Sequence, residues 1–287
     1  MSLLVIGSSG YIGSSLLAYL QTYLPCTSIS PASFLSSRTI LSMLASNEHS
    51  IFEGVSTIIL LAAQVVDYPS NYFQSYYENL RITDIVLNSL ITEPNPPTLV
   101  FLSTRLVYQG SESALLIEDA PKKPLTLYAA AKLSSEHLIT TISHLNNIRY
   151  FVFRLGVPYG VIVNCRQPKH GTIPMFLNQL SSNNAITLFG DGSYRRTFTS
   201  IIDVCRFVSQ PHFNTLPPSG IYNLPGEELS LSEASYILQK QYPSSQVTFQ
   251  ETYLHTETGS TVFDSTKYQS QFTLSPSQSF ADWSTTL

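Results

Sequence analysis

Leu3-Leu4-Val5-Ile6 is an unbroken apolar run without a helical stripe, and Gly7-Ser8-Ser9-Gly10-Tyr11-Ile12-Gly13 follows it directly. Beyond the turn, Leu16, Leu17 and Leu20 take up helical spacing. The order is buried strand, glycine turn, helix. Glycines three apart permit a tight turn, close approach of backbone N–H groups to a ligand, and close packing of helix on strand. The helix N-terminus adds partial positive charge. A pyrophosphate suits such a turn, which puts Gly7, Gly10, Tyr11, Ile12 and Gly13 at a dinucleotide. The spacing G-x-x-G-x-x-G meets the common G-x-G-x-x-G pattern only in part, so a bare turn is the alternative until the rest of the chain is read.

The rest of the chain alternates strand and helix signals. Thr57 to Ala63 is fully apolar, as a parallel strand buried on both faces requires. A helix over about Tyr76 to Leu90 ends at Pro94, Pro96 and Pro97, and Leu99 to Leu102 is the next strand. Tyr128 to Ser143 is helical, with Thr126 as its N-cap, and Arg149 to Leu155 returns as a strand. The class expected is α/β, with a doubly wound parallel sheet. Past Gly156 the pattern loosens among Pro158, Pro168, Gly171, Pro174 and Gly190-Asp191-Gly192, which reads as a smaller region covering a substrate. Ile201 to Ser209 is one more helix returning to the sheet.

Cys26 to Ser30 is a short strand candidate closed by Pro31. In a dinucleotide fold the second strand normally ends in an acid that binds the adenosine ribose. Ser30 stands there instead, and Arg38 follows eight residues on. An arginine near an acid-free strand end can accept a 2′-phosphate, which tilts the cofactor from NAD towards NADP. A solvated helix residue is the other reading of Arg38.

Composition narrows the function classes. Charged residues are 12% of the 287, and the net charge is -4, so there is no basic stripe for nucleic acid. The three cysteines, Cys26, Cys165 and Cys205, lack metal or disulfide spacing and point to a reducing compartment, the cytoplasm. No basic leader and no apolar run of about 18 residues is seen, so neither signal peptide nor membrane span is expected. His137 and His144 lie seven apart on a helix, and His212 and His255 have no partner at ligand spacing. No metal site is expected.

Tyr128-Ala129-Ala130-Ala131-Lys132 puts a phenol and an ammonium one above the other on a helical face. A free phenol titrates near ~10, and a nearby cation favours phenolate. Lowering that pKa by about three units takes roughly 4 kcal/mol, within reach of a lysine plus a positive nicotinamide ring in a dry site. The pair would then serve as a general acid/base. Any helix can hold Tyr and Lys at this spacing, so the order of the other motifs decides.

That order resembles the extended short-chain dehydrogenase/reductases, the nucleotide-sugar epimerase/dehydratase family, over nearly the whole chain. The matching pieces are the glycine turn, Leu61-Ala62-Ala63 at a strand end, Asn79 in the next helix, and Ser103-Thr104-Arg105-Leu106-Val107-Tyr108. They continue with Tyr128-x-x-x-Lys132, Arg154 to Gly160, and Gly190 to Arg196 leading to Asp203. The resemblance implies a Rossmann domain over 1–157 plus about 199–222, and a smaller substrate domain over 158–198 and 223–287. It implies Thr104, Tyr128 and Lys132 as the catalytic set, with Thr104 and Tyr128 touching the sugar. Ser103, Leu61, Ala62, Ala63, Asn79 and Leu155 join Tyr128 and Lys132 around NAD(P), and Arg196 clamps the nucleotide pyrophosphate.

Three departures shape the expected chemistry. Arg105-Leu106 replaces the Asp-Glu pair of the sugar dehydratases, against dehydration. Leu106 also replaces the carbon base of the fucose-type enzymes, so His170, which resembles their acid, has no counterpart. Val157 stands where relatives place an Asn on the substrate diphosphate. The expectation is hydride transfer at C4 of a nucleotide-linked sugar by a cytoplasmic homodimer, 4-keto reduction being preferred to 4-epimerisation. The contrasting reading is a non-catalytic NAD(P)-binding module.

Overall fold

The computed structural model describes residues 2–25, 28–46, 49–65, 72–111, 113, 115–213, 217–251 and 259–287. Cys26 and Thr27 of the expected second strand, and His255, lie outside them, as does the side chain of His212. The strands are β1 Ser2–Ile6, β2 Val55–Leu60, β3 Thr98–Thr104, β4 Tyr150–Leu155, β5 Val157–Tyr159, β6 Ala185–Phe189, β7 Arg195–Ser200, β8 Gly220–Asn223, β9 Glu227–Ser230 and β10 Gln246–Gln250. The helices are α1 Tyr11–Tyr23, α2 Ser37–Ala45, α3 Tyr72–Ile91, α4 Leu127–Leu145, α5 Thr172–Asn183, α6 Ile201–Phe213, α7 Leu231–Gln239, α8 Thr266–Phe272 and α9 Phe280–Ser284.

The principal sheet has the order β1-β2-β3-β4-β8 and is parallel throughout. Alternate side chains of β1 show why it is buried on both faces. Leu3 and Val5 enter a core built with α1, α6 and the aromatics of β4, whereas Leu4 and Ile6 enter a second core built with α2, α3 and α4. On the outer side of β1, Ile29 bridges Leu3 in parallel, so the chain leaves β1 in both directions and a crevice opens at the strands' carboxyl ends.

Gly156 alone separates β4 from β5, where the chain passes from the principal sheet into the three-stranded sheet β5-β7-β9. A Cβ there would sit 2.1 Å from the Thr197 carbonyl oxygen, so only glycine lets the two backbones meet. Gly226 is pressed in the same way on the Phe198 oxygen, at 2.4 Å. The small unit adds the pair β6–β10 and packs Phe176, Leu180, Ile186, Phe198, Leu238, Phe280 and Trp283 together.

The chain after residue 223 does not stay with the small unit as the sequence division had it. Tyr268 and Phe272 of α8 stack at 4.5 Å and insert among Phe151, Phe153 and Tyr222 of the principal core. Aromatic burial carries this helix back. Among the described residues, no helix is long and apolar enough to cross a membrane.

Candidate active site

A cavity of 1090 Å³ opens at the carboxyl ends of β1, β2 and β3, at the top of the usual range for small-molecule sites. It gathers Gly7, Gly10, Tyr11, Ile12, Gly13, Arg38, Leu61, Ala62, Ala63, Ser103, Thr104, Tyr128, Lys132 and Leu155. The three glycines divide the work. Gly7 has φ +106°, and a Cβ on it would lie 2.5 Å from the Ala62 nitrogen; one on Gly13 would lie 2.1 Å from the Gly7 oxygen. Those two are required by packing. Gly10 meets nothing nearer than 3.4 Å, so its missing side chain leaves open space in the cavity. A cradle that a Cβ at Gly10 would fill, beside the N-terminus of α1, fits the diphosphate of a dinucleotide.

The expected catalytic residues line the same cavity. β3 ends at Thr104, whose Oγ1 accepts from the Leu106 N–H at 3.3 Å and caps the short 3-10 turn Arg105–Tyr108. Its own hydroxyl proton therefore stays available to a ligand. The Thr126 side chain caps α4 by accepting from the Ala129 N–H, as its sequence position predicts. The next turns carry Tyr128 and Lys132. The Lys132 ammonium donates to the Leu102 carbonyl at 2.8 Å and lies 4.4 Å over the Phe101 ring. Burial lowers its pKa to about 8, with Glu136 opposing. Burial raises the Tyr128 phenol to about 12, the reverse of the depression expected from the sequence. Desolvation is the cause. The ammonium, held at Leu102, stands 6.0 Å from the tyrosine ring centroid, and the depression expected from the sequence draws on the nicotinamide charge as well.

Beneath these side chains lies a buried network that motif reading did not assign. Glu136 and Arg154 pair at 2.6 Å, with 0% and 1% of their side chains exposed. Ser103 donates to Glu136 at 2.5 Å, and Arg154 also reaches the Tyr108 hydroxyl and, at 2.8 Å, the Glu118 carbonyl. Burial disfavours the Arg154 charge, but the hydrogen bonds and charge of Glu136 outweigh it and its pKa rises. Burial also raises the Tyr108 phenol to about 12, against the pull of Arg154. The signal was present: residues 128, 132 and 136 form one helical stripe.

Three expected binding residues do not line the cavity. Asn79 instead clamps the loop after β2, accepting from the Gln64 N–H at 2.8 Å and donating to the Gln64 carbonyl at 2.9 Å. It positions Ala62 and Ala63 from behind. Ser30 is buried against β1, its N–H donating to the Leu3 carbonyl at 2.9 Å. Arg196 is buried in β7 and donates to the Gly259 carbonyl at 2.7 Å, because the sheet pairing turns it towards residues 259–261. Conversely, Arg81, Arg166 and Lys169 line the cavity without having been expected there. With Arg38 and Lys132 they make five lysine and arginine side chains against one carboxylate, Glu78, among the described residues, in a chain of net charge -4.

A family model described as the NAD dependent epimerase/dehydratase family matches residues 3–224. The chain is 30% identical over 197 residues to a UDP-glucuronate 4-epimerase of Thermodesulfobacterium geofontis, covering 66% of this chain and 58% of the relative. It is 29% identical over 177 residues to an uncharacterized UDP-glucose epimerase of Bacillus subtilis, covering 59% and 54% respectively. The chain thus spans little more than half the length of these relatives. In structure it is similar to UDP-glucuronic acid 4-epimerase from Bacillus cereus, solved with UDP-glucuronic acid and NAD, at a TM-score of 0.80 and 23% identity over 99% of this chain and 97% of that one. UDP-glucose 4-epimerase of Thermotoga maritima, solved with UDP-glucose, gives a TM-score of 0.82 at 18% identity, with 99% and 96% covered. These likenesses bear out the doubly wound α/β fold.

Proposed function

The chain belongs to the NAD dependent epimerase/dehydratase family, and from that premise we propose that it carries out hydride transfer at C4 of a UDP-linked sugar, with 4-epimerisation as the outcome. One observation carries the reading: a single cavity is lined both by the glycine turn and by Thr104, Tyr128 and Lys132. A bound nicotinamide cofactor would supply the hydride acceptor. Gly7, Gly10 and Gly13 would hold its diphosphate, and Lys132 its nicotinamide ribose. Tyr128 Oη would exchange a proton with the C4 oxygen, and the Thr104 hydroxyl would fix that oxygen by hydrogen bonding. The excess of basic side chains suits polyanionic ligands. The names of the relatives, epimerases of UDP-glucose and UDP-glucuronate, support the substrate class.

A second reading is the NADPH-driven reductase expected from the sequence, and Arg38 and Arg81 favour it. Both line the cavity, Ser30 does not, and the one carboxylate there among the described residues, Glu78, is bonded to Arg81 at 3.5 Å. No relative named above is a reductase, so this reading stands second. The regulatory-module reading has no observation behind it. A homodimer and a cytoplasmic setting accompany the proposal; exposed Tyr77 on α3 and Leu145 on α4 support the first.

The test is to incubate the protein with UDP-glucose or UDP-glucuronate without added reductant and follow the 4-epimer by NMR. In parallel, NADPH absorbance is followed with 4-keto nucleotide sugars. Epimer formation is the expected result. NADPH consumption alone, weakened selectively by Arg38→Ala, would promote the reductase, and inactivity in both arms would sink the proposal.

A further inference from the structure

No charged side chain occurs in the first 37 residues of the chain; Arg38 is the first. The glycine turn and α1 therefore offer a dinucleotide only backbone N–H groups and a helix end worth about half a positive charge. A diphosphate brings two negative charges. The shortfall has to be met from elsewhere in the fold.

The strap from Gly160 to Gly171, which joins β5 to α5, lies against this turn. Both end glycines are left-handed, at φ +88° and +112°. The strap is fastened to the turn and to α1 at four points. Tyr11 Oη donates to the Gly160 carbonyl at 2.6 Å, Cys165 Sγ to the Ser14 carbonyl at 3.5 Å, and the Arg166 N–H to Ser14 Oγ at 3.1 Å. The fourth is the Arg166 guanidinium, donating to the Ser9 carbonyl at 3.0 Å inside the glycine turn itself. Arg166 also lines the cavity.

We propose that Arg166 is the counter-charge for the cofactor diphosphate, carried over the glycine turn by the strap. This rests on the reading of the turn as a dinucleotide site. The guanidinium donates here to a neutral carbonyl acceptor. A phosphate oxygen at the same place is a stronger, charge-assisted acceptor, and the planar fork suits it. The remaining fastenings through Tyr11, Cys165 and the Arg166 backbone hold the strap in place while the side chain changes partner. The nucleotide site is thus completed by a residue more than 150 positions from the glycines in sequence, which Arg166's contacts with Ser9 and Ser14 bring together.

The test uses the full chain as wild type and as the two variants Arg166→Gln and Arg166→Lys, titrated with ADP, with adenosine, and with NADH by nicotinamide fluorescence. For Arg166→Gln, ADP and NADH binding should weaken about 10- to 100-fold, adenosine binding should hold within about twofold, and Arg166→Lys should recover part of the loss. Melting temperature should not move, because the side chain is exposed. Equal weakening of ADP and adenosine, or no weakening of either, would overturn the role of Arg166. A wild type that binds neither ADP nor NADH would instead remove the dinucleotide reading beneath it.

Discussion

Lys132 and Tyr128 share a face of α4, yet the ammonium hydrogen-bonds the Leu102 carbonyl and sits 6.0 Å from the tyrosine ring centroid. The two are poised at opposite ends of a proton problem. Burial holds the phenol neutral, at a pKa of about 12, and drags the ammonium down to about 8. A neutral phenol can donate in the half-reaction that reduces the 4-keto sugar, whereas the half-reaction that oxidises the C4 hydroxyl needs the phenolate, which the positive charge of a bound nicotinamide would favour.

If Tyr128 moves the proton at C4, Tyr128→Phe should lower kcat by about 10²- to 10⁴-fold while the ring keeps its packing. Cofactor affinity should be little altered. Steady-state kinetics alongside a fluorescence titration checks this, and wild-type turnover in the variant would defeat the mechanism.

Lys132 should cost the free protein stability. Its pKa falls from 10.5 to about 8 on folding, so below pH 8 the ammonium is charged in both states and opposes the fold. The cost is on the order of 3 kcal/mol there, and it fades as pH rises from 8 to 10.5, where the unfolded chain holds the proton and the folded one does not. Lys132→Met should therefore unfold at higher denaturant than wild type at pH 7, with the gap narrowing towards pH 10. A gap that widens with pH would contradict this.

The glycines of the turn should separate folding from binding. Gly10→Val places its side chain in open space and should leave the melting temperature nearly unchanged while abolishing cofactor binding. Gly13→Ala drives a Cβ to 2.1 Å from the Gly7 oxygen and should destabilise the whole fold. Thermal melts and cofactor titrations on both variants read the difference.

The buried pair Glu136–Arg154 should behave asymmetrically. Glu136→Leu leaves an uncompensated guanidinium and Arg154→Met an uncompensated carboxylate, and each should cost about 3–5 kcal/mol, whereas the two changes together should cost less than either alone. Denaturant unfolding of the three variants supplies the cycle. Additive losses would show that the charges do not depend on one another.

Local pattern made much of the site legible. Glycine spacing, the apolar strand runs, the Thr126 cap and the Tyr128–Lys132 stripe are all short-range signals, and each element lies where its pattern put it. What the chain did not disclose depends on long-range placement. Asn79 stands in the expected helix and is turned onto Gln64, whereas in place of the expected strand only Ile29 bridges β1 among the described residues, and Ser30 beside it is buried against Leu3. Arg196 is turned by the β7 pairing, and Arg166 arrives by way of a strap with no periodicity of its own. Direction of a pKa shift was equally out of reach. It follows from the burial of the phenol, and spacing along α4 says nothing of that.

The passage of β4 into β5 through Gly156, with Gly226 pressed on the same strand β7, joins the two units by main chain lying directly on main chain. At those two glycines main chain meets main chain, so sliding of one unit past the other would force backbone atoms together there. The return of α8 into the principal core adds a further tie. Heat should accordingly melt both units together, in a single calorimetric peak whose van't Hoff and calorimetric enthalpies agree.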